Sequence, residues 1–209
     1  MDKPLTDNPR LAQVILELAH KEGAVLFGDF TLSSGRKSDH YWDGKKVTLH
    51  PTGAYLVGKA IFDLIRGLNV DAIGGLEVGA IPVATAVALV SAQEGKPIPA
   101  FIVRKNRKEH GTRNEIEGFV PPDGSRVVIV DDVITSGDSI QKAIEAVEQR
   151  GCKVVRVITL VDRHEGGCDR LRSQGYAFES LLDFRQVKGK TILGESKTTG
   201  SGLKEELLC

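Results

Sequence analysis

The sequence predicts an α/β domain: an open, mostly parallel twisted sheet flanked by helices, with a small N-terminal hood. Three observations carry this expectation. Short apolar, β-branched runs near 70–75, 98–104, 126–131 and 154–161 alternate with helical or loop stretches, the rhythm of a parallel sheet covered on both faces. Twice, such a run passes through a glycine turn straight into a helical pattern, in IGGLEVGAIPVATAV (73–87) and VVIVDDVITSGDSI (127–140). No internal repeat is visible, which argues against a solenoid or a propeller.

Size and charge bound the function classes. A chain of 209 residues with 41% hydrophobic content is one ordinary domain, with room for a small accessory piece. Its 28 basic and 28 acidic residues cancel, so no global field steers it to nucleic acid or an anionic membrane. A focused basic patch for a small anion remains open. No apolar run reaches the ~18 residues of a spanning helix, and none precedes a cleavage site, so a cytoplasmic location is expected. Cys152, Cys168 and Cys209 are odd in number and form no CxxC, which disfavours a disulfide framework or a structural zinc site.

In chain order, residues 1–10 are a polar lead-in with two prolines. Leu11, Val14, Ile15 and Leu18 then recur at helical spacing, up to Gly23. FGDFTLSSGRKSDHYWD (27–43) predicts short strands around a Ser33–Ser34–Gly35 turn, and gathers Arg36, Lys37, His40, Tyr41 and Trp42. It reads either as a solvated hairpin or as the wall of a pocket for a flat polar ring. A helical pattern fills 52–66, and a strand follows at 70–75. Gly74, Gly75 and Gly79 bracket a turn into a helix from about Ala80, with Pro82 in its first turn. After the 98–104 strand, RKNRKEHGTRNEIEG (104–118) has five basic and three acidic residues and no apolar period. It predicts a long exposed loop, either solvated or a lid. PPDG (121–124) is a turn, 153–163 another parallel strand, HEGG the start of a loop, and 176–184 a final or edge strand. Residues 185–209 are a polar tail.

The junction at 127–140 carries chemistry. A helix's first turn has unpaired N–H groups and the positive end of its dipole. Thr135, Ser136, Gly137 and Ser139 surround that turn, and hydroxyls with amides make a phosphate cradle. Asp131 and Asp132 end the strand, where open sheets place ligands. They would face ribose hydroxyls or a hydrated magnesium ion, or else merely solvate a strand end. Neither GxxxxGK[ST] nor GxGxxG is present.

This stretch resembles the phosphoribosyl-pyrophosphate (PRPP) motif of type I phosphoribosyltransferases: a hydrophobic strand, two acids and a T-[ST]-G turn. The resemblance implies a PRPP site made of Asp131, Asp132, Val133, Ile134, Thr135, Ser136, Gly137, Asp138 and Ser139. In it the two aspartates would hold the ribose 2′- and 3′-hydroxyls, and residues 135–139 would wrap the 5′-phosphate. Segment 27–43 resembles the FGxFTLxSGxxSxxYxD signature of orotate phosphoribosyltransferases, with Phe30, Ser34, Gly35, Ser38 and Tyr41 at matching positions. RKxxKxH resembles their catalytic lid, which implies that Arg104, Lys105, Lys108 and His110 contact pyrophosphate. VDRxEGG implies that Arg163 meets orotate, alongside Ser34, Gly35, Tyr41 and Thr135. Leu26 and Gly79 stand where some relatives carry lysine, so backbone amides near Gly79 would do more of that work.

The resemblance spans about residues 11–184, implying a phosphoribosyltransferase domain over 1–184, its hood from about 1–45, and an unassigned tail at 185–209. It further implies transfer of the 5-phosphoribosyl group from PRPP to N1 of orotate, giving orotidine 5′-monophosphate and pyrophosphate. Lys105, Lys108, His110, Asp131 and Asp132 would form the catalytic group. Magnesium would be held mainly through PRPP, with no dedicated protein ligand set, and the enzyme would be a homodimer whose lids close over the neighbouring site. A purine phosphoribosyltransferase should lack the 27–43, RKxxKxH and VDRxEGG segments. A PRPP-sensing regulator should carry a basic face. A fusion to a decarboxylase would need a longer chain.

Overall fold

The computed structural model describes residues 9–31, 37–105 and 115–185. Its elements are α1 (Pro9–Lys21), β1 (Val25–Thr31), β2 (Lys37–Trp42), α2 (Lys45–Thr48), α3 (Pro51–Ile65), β3 (Ala72–Leu76), α4 (Ala80–Gln93), β4 (Ala100–Val103), β5 (Ile116–Gly118), β6 (Arg126–Ile134), α5 (Asp138–Glu148), β7 (Lys153–Asp162), α6 (Gly167–Ser173) and β8 (Phe178–Asp183). β1 and β2 form a separate antiparallel ribbon. The main sheet has the order β5-β4-β3-β6-β7-β8, parallel throughout except for β5 on the edge.

The alternation of side chains along the strands divides the core in two. Val128 and Val130 of β6 and Ile158 and Leu160 of β7 point into a layer shared with α1, α3 and α4. Val127, Ile129 and Val157 point the other way, into a layer with α5 and α6. This is the period-two pattern of a sheet buried on both faces. α3 begins cleanly because His50 Nδ1 accepts the Gly53 N–H at 3.3 Å and Pro51 occupies the first turn. α1 buries Leu11, Ala12, Ile15, Leu16 and Ala19. Its inward face is therefore rotated from the expected stripe, and Val14 and Leu18 lie at its margin.

The sequence expectations differ from the structure in three places. The end of the charged stretch, expected to be loop, contains β5, because Ile116 is buried and pairs with Val103. The loop opened by HEGG winds into α6, pinned by buried Cys168 and Leu171. The central strand runs on to Ile134, past the two aspartates, because β7 accompanies it to Asp162.

That last difference creates a crevice. β3 pairs with β6 only as far as Gly74 and Ile129, whereas β6 and β7 stay together to Ile134 and Asp162. The chain leaves β3 toward β4 on one side and returns to β6 on the other. Neighbouring strands whose connections leave in opposite directions open a gap beyond their carboxyl ends, where such sheets bind ligands.

Candidate active site

The crevice is a cleft of about 720 Å³. Its lining comes from the β2 end and α2 (Tyr41, Trp42, Lys45), the loop after β3 (Glu77, Val78, Gly79), Lys105 after β4, the β6 end (Asp131, Asp132, Val133, Thr135), Ser139 of α5 and Arg163 after β7. A smaller cavity of about 270 Å³ adjoins it, enclosed by residues 133–140 with Asp131.

The two aspartates form the floor. Both are buried, Asp131 7% and Asp132 5% exposed. Asp131 Oδ1 accepts the Asp132 N–H at 2.9 Å. Burial, and then the charge of Asp132, push the Asp131 carboxyl well above the usual carboxylate range. Burial also raises Asp132, but the neighbouring Lys45 opposes the shift; its Nζ is 3.6 Å from Asp132 Oδ2. Both carboxylates converge on Gly79, where a Cβ would lie 2.3 Å from Asp131 Oδ1 and 2.6 Å from Asp132 Oδ1. Buried carboxylates short of positive charge suit hydroxyl donors or a hard, oxygen-seeking cation, so the donor set fits magnesium.

The smaller cavity is a cradle for an anion. Gly137 is the N-cap of α5 at φ 84°, a left-handed conformation that glycine adopts without strain, and no side chain caps the helix there. The first-turn amides of α5 thus remain for a ligand. The turn is braced from outside. Arg170 Nη1 donates to Asp138 Oδ1 at 2.6 Å, and Ser136 Oγ donates to Asp138 Oδ2 at 2.8 Å. The Arg170 guanidinium, with the Ser136 hydroxyl, holds the Asp138 carboxyl below its ordinary range. Ile134 sends its side chain into the core, leaving its backbone toward the site.

The cradle is joined to the segment after β7. The Arg163 N–H donates to Ile134 O at 3.2 Å, and the Gly167 N–H donates to Thr135 O at 2.9 Å. A Cβ on Gly167 would lie 2.5 Å from Thr135 O and 2.9 Å from Gly137 N, so only glycine allows this approach. The Arg163 side chain is held by Glu165 at 2.9 Å and lies over the Phe184 ring at 5.3 Å. Beyond the cleft, ligand atoms of Asp162, His164 and Cys168 lie within 4.8 Å of one another. Burial and a hydrogen bond to Asp162 push the Cys168 thiol up to about 12, and His164 Nε2 meets Asp183 at 3.0 Å. The thiol therefore keeps its proton, and the group braces the end of β7.

Of the residues singled out in the sequence, the cleft gathers Tyr41, Lys105, Asp131, Asp132, Val133, Thr135, Ser139 and Arg163, and the cradle adds Ile134, Ser136, Gly137 and Asp138. Arg104 is not among the cleft residues; its guanidinium faces Glu117 of β5 at 3.4 Å. Ser34, Gly35, Lys108 and His110 lie outside the described residues. Tyr41 is 38% exposed and its ring sits 5.6 Å from that of Phe30. Arg156 pairs with Glu179 of β8 and does not reach the cleft. Sequence reasoning missed Lys45 and Glu77. Lys45 stood two residues past the 27–43 segment, and Glu77 gave no signal beyond its place in a glycine turn.

Comparisons with known proteins agree with this geometry. The phosphoribosyl transferase domain family matches residues 43–189. An orotate phosphoribosyltransferase from Nostoc is 44% identical over 179 residues, 86% of this chain and 84% of that protein. Among solved structures, the orotate phosphoribosyltransferase of Aeropyrum pernix superposes with a TM-score of 0.73 at 35% identity, covering 86% of this chain and 99% of the other. The Mycobacterium tuberculosis orotate phosphoribosyltransferase in complex with PRPP gives 0.70 at 34% identity, with 86% and 99% covered. On the fold, the cleft and this level of likeness, the chain belongs to the phosphoribosyl transferase family, among the orotate phosphoribosyltransferases.

Proposed function

We infer that the chain transfers the 5-phosphoribosyl group of PRPP to N1 of orotate, releasing pyrophosphate and forming orotidine 5′-monophosphate for pyrimidine synthesis. The observation that carries this is the juxtaposition of two buried aspartates with an uncapped, glycine-turned helix start in one crevice. Asp131 and Asp132 accept the ribose hydroxyls, and the turn from Thr135 to Ser139 holds the 5′-phosphate. That fixes the sugar with its C1 toward the open cleft. Arg163 and Tyr41, on the cleft's other walls, hold the flat orotate anion with its ring nitrogen over C1. Holding both reactants replaces a bimolecular encounter with a positioned one.

As the C1–oxygen bond breaks, negative charge grows on the departing pyrophosphate. Lys105 and the amides beside Gly79 meet it from the cleft wall, with Lys108 and His110 of the lid completing the set. Were magnesium bound with PRPP, Asp131 and Asp132 are the residues that would face it, and it would supply neutralisation of the phosphate charge. The nucleophile is an acidic ring nitrogen, so the reaction needs no serine–histidine–aspartate arrangement.

The active unit in this reading is a homodimer sharing lids. Arg104, turned from its own cleft toward Glu117, supports a lid that serves a neighbour, and exposed Ile81 and Leu89 of α4 offer apolar surface for one. The domain is taken as 1–184, with 185–209 a tail. Among the described residues no helix is long and apolar enough to cross a membrane, which suits a cytoplasmic enzyme.

The test is an ultraviolet assay of orotate consumption, with and without PRPP and magnesium. Loss of orotate only when PRPP is present is expected, and no PRPP-dependent loss would defeat the reading. Arg163→Ala should lower kcat/KM for orotate about 100-fold, the scale of a lost charged contact. PRPP binding, measured by calorimetry, should change far less.

A further inference from the structure

A crevice that receives a multiply charged phosphate ester needs fixed positive charge, yet two buried carboxylates make its floor. The described charged groups around them come from every wall: Asp43 and Lys45 beside β2, Glu77 after β3, Lys105 after β4 and Arg163 after β7. Arg163 is engaged by Glu165. Glu77 accepts the Lys105 backbone N–H at 2.9 Å, so that pair belongs to the base of the lid. Among the described residues, Lys45 is the cation paired with the aspartates, its Nζ 3.6 Å from Asp132 Oδ2.

Its mounting is rigid. Lys45 opens α2, whose Val47 and Thr48 are buried. The turn before it packs directly on the acids: a Cβ on Gly44 would lie 2.9 Å from both Asp132 Oδ2 and Trp42 Nε1. That indole N–H is buried with no hydrogen-bond partner among the described residues, so the corner has a donor to spare for a ligand's oxygen. The Gly79 turn brings no cation of its own: a side chain at Gly79 would collide with both carboxylates.

We propose that Lys45 is a positioning residue of the PRPP site, its ammonium aligning the Asp132 carboxylate so that the acid pair accepts the ribose hydroxyls. It supplies from α2 the positive charge that the Gly79 wall has no room for. This rests on the reading of the cleft as a PRPP site. The alignment follows from distance: the Lys45 ammonium lies within ion-pair reach of Asp132 Oδ2, and the Gly44 turn packs against the same oxygen.

The test uses the full chain with Lys45→Met and Lys45→Arg. Lys45 is 46% exposed in its side chain, so both variants should fold. Calorimetric binding of PRPP and steady-state kinetics with each substrate varied in turn read the site. In Lys45→Met the Kd for PRPP should rise about tenfold, with KM for orotate near wild type. The kcat/KM for PRPP should fall about tenfold. Lys45→Arg should keep both near wild type, which a merely packing role would not require. An unchanged PRPP affinity and kcat/KM in Lys45→Met would overturn the Lys45 proposal alone. A wild-type chain with no PRPP-dependent orotate loss would instead overturn the functional reading, and the PRPP half of this proposal with it.

Discussion

At the scale of single residues, Asp131 trades stability for chemistry. Its carboxyl keeps its proton to higher pH in the fold than in the unfolded chain, where the ordinary value is 3.8. Between that value and the raised one, the folded state binds more protons, so stability falls as pH rises through the window. Above it, the cost of a buried charge is fully present. Asp131→Asn keeps the Oδ1 acceptor for the Asp132 N–H and removes the charge. We expect a higher melting temperature at pH 8, by about 2–4 °C for each kcal/mol relieved, a smaller gain at pH 4, and loss of turnover. Calorimetry at the two pH values checks this; a lower melting temperature at pH 8 would contradict it. The pair was legible in the sequence as two acids at a strand end. Its burial was not, because burial depends on β7 running alongside to Asp162 and on Gly79 closing over the top.

At the scale of elements, the strand–turn–helix units were readable because apolar runs and glycines sit where their periods demand. β6 as far as its aspartates, the Gly137 turn and α5 follow from VVIVDDVITSGDSI. β5 and α6 were not readable. Three residues pairing at a sheet edge, and seven held by Cys168 and Leu171, owe their form to neighbours more than to local pattern. α6 matters because it braces the phosphate turn. Gly167→Ala would press a methyl group to within 2.5 Å of Thr135 O, and backbone must yield. The expected cost is about 1–3 kcal/mol of stability, read by urea denaturation, with KM for PRPP raised more than KM for orotate. An alanine variant with unchanged KM for PRPP would show that the brace does not shape the turn.

At the scale of the whole molecule, topology places the site: β3 and β6 part company beyond Gly74 and Ile129, and the functional side chains collect around the gap. The sequence allowed the sheet to be anticipated but not its strand order, which is settled by long-range pairing. If lids are exchanged between subunits, mixing inactive Asp131→Asn protein with inactive Lys108→Ala protein should restore about a quarter of wild-type sites, from random pairing of two defective chains into hybrids with one intact site each. Steady-state assays of the mixture, against each variant alone, check it; no recovery after subunit exchange would mean that each chain serves itself. Finally, the bonds from Arg163 and Gly167 to Ile134 and Thr135 make the seats proposed for the sugar phosphate and for the base one mechanical part. Whatever the first guest does to that part, the second inherits, and linkage requires the favour or hindrance to be returned in equal measure. Occupancy of one seat is thereby announced at the other with no hinge or distant relay.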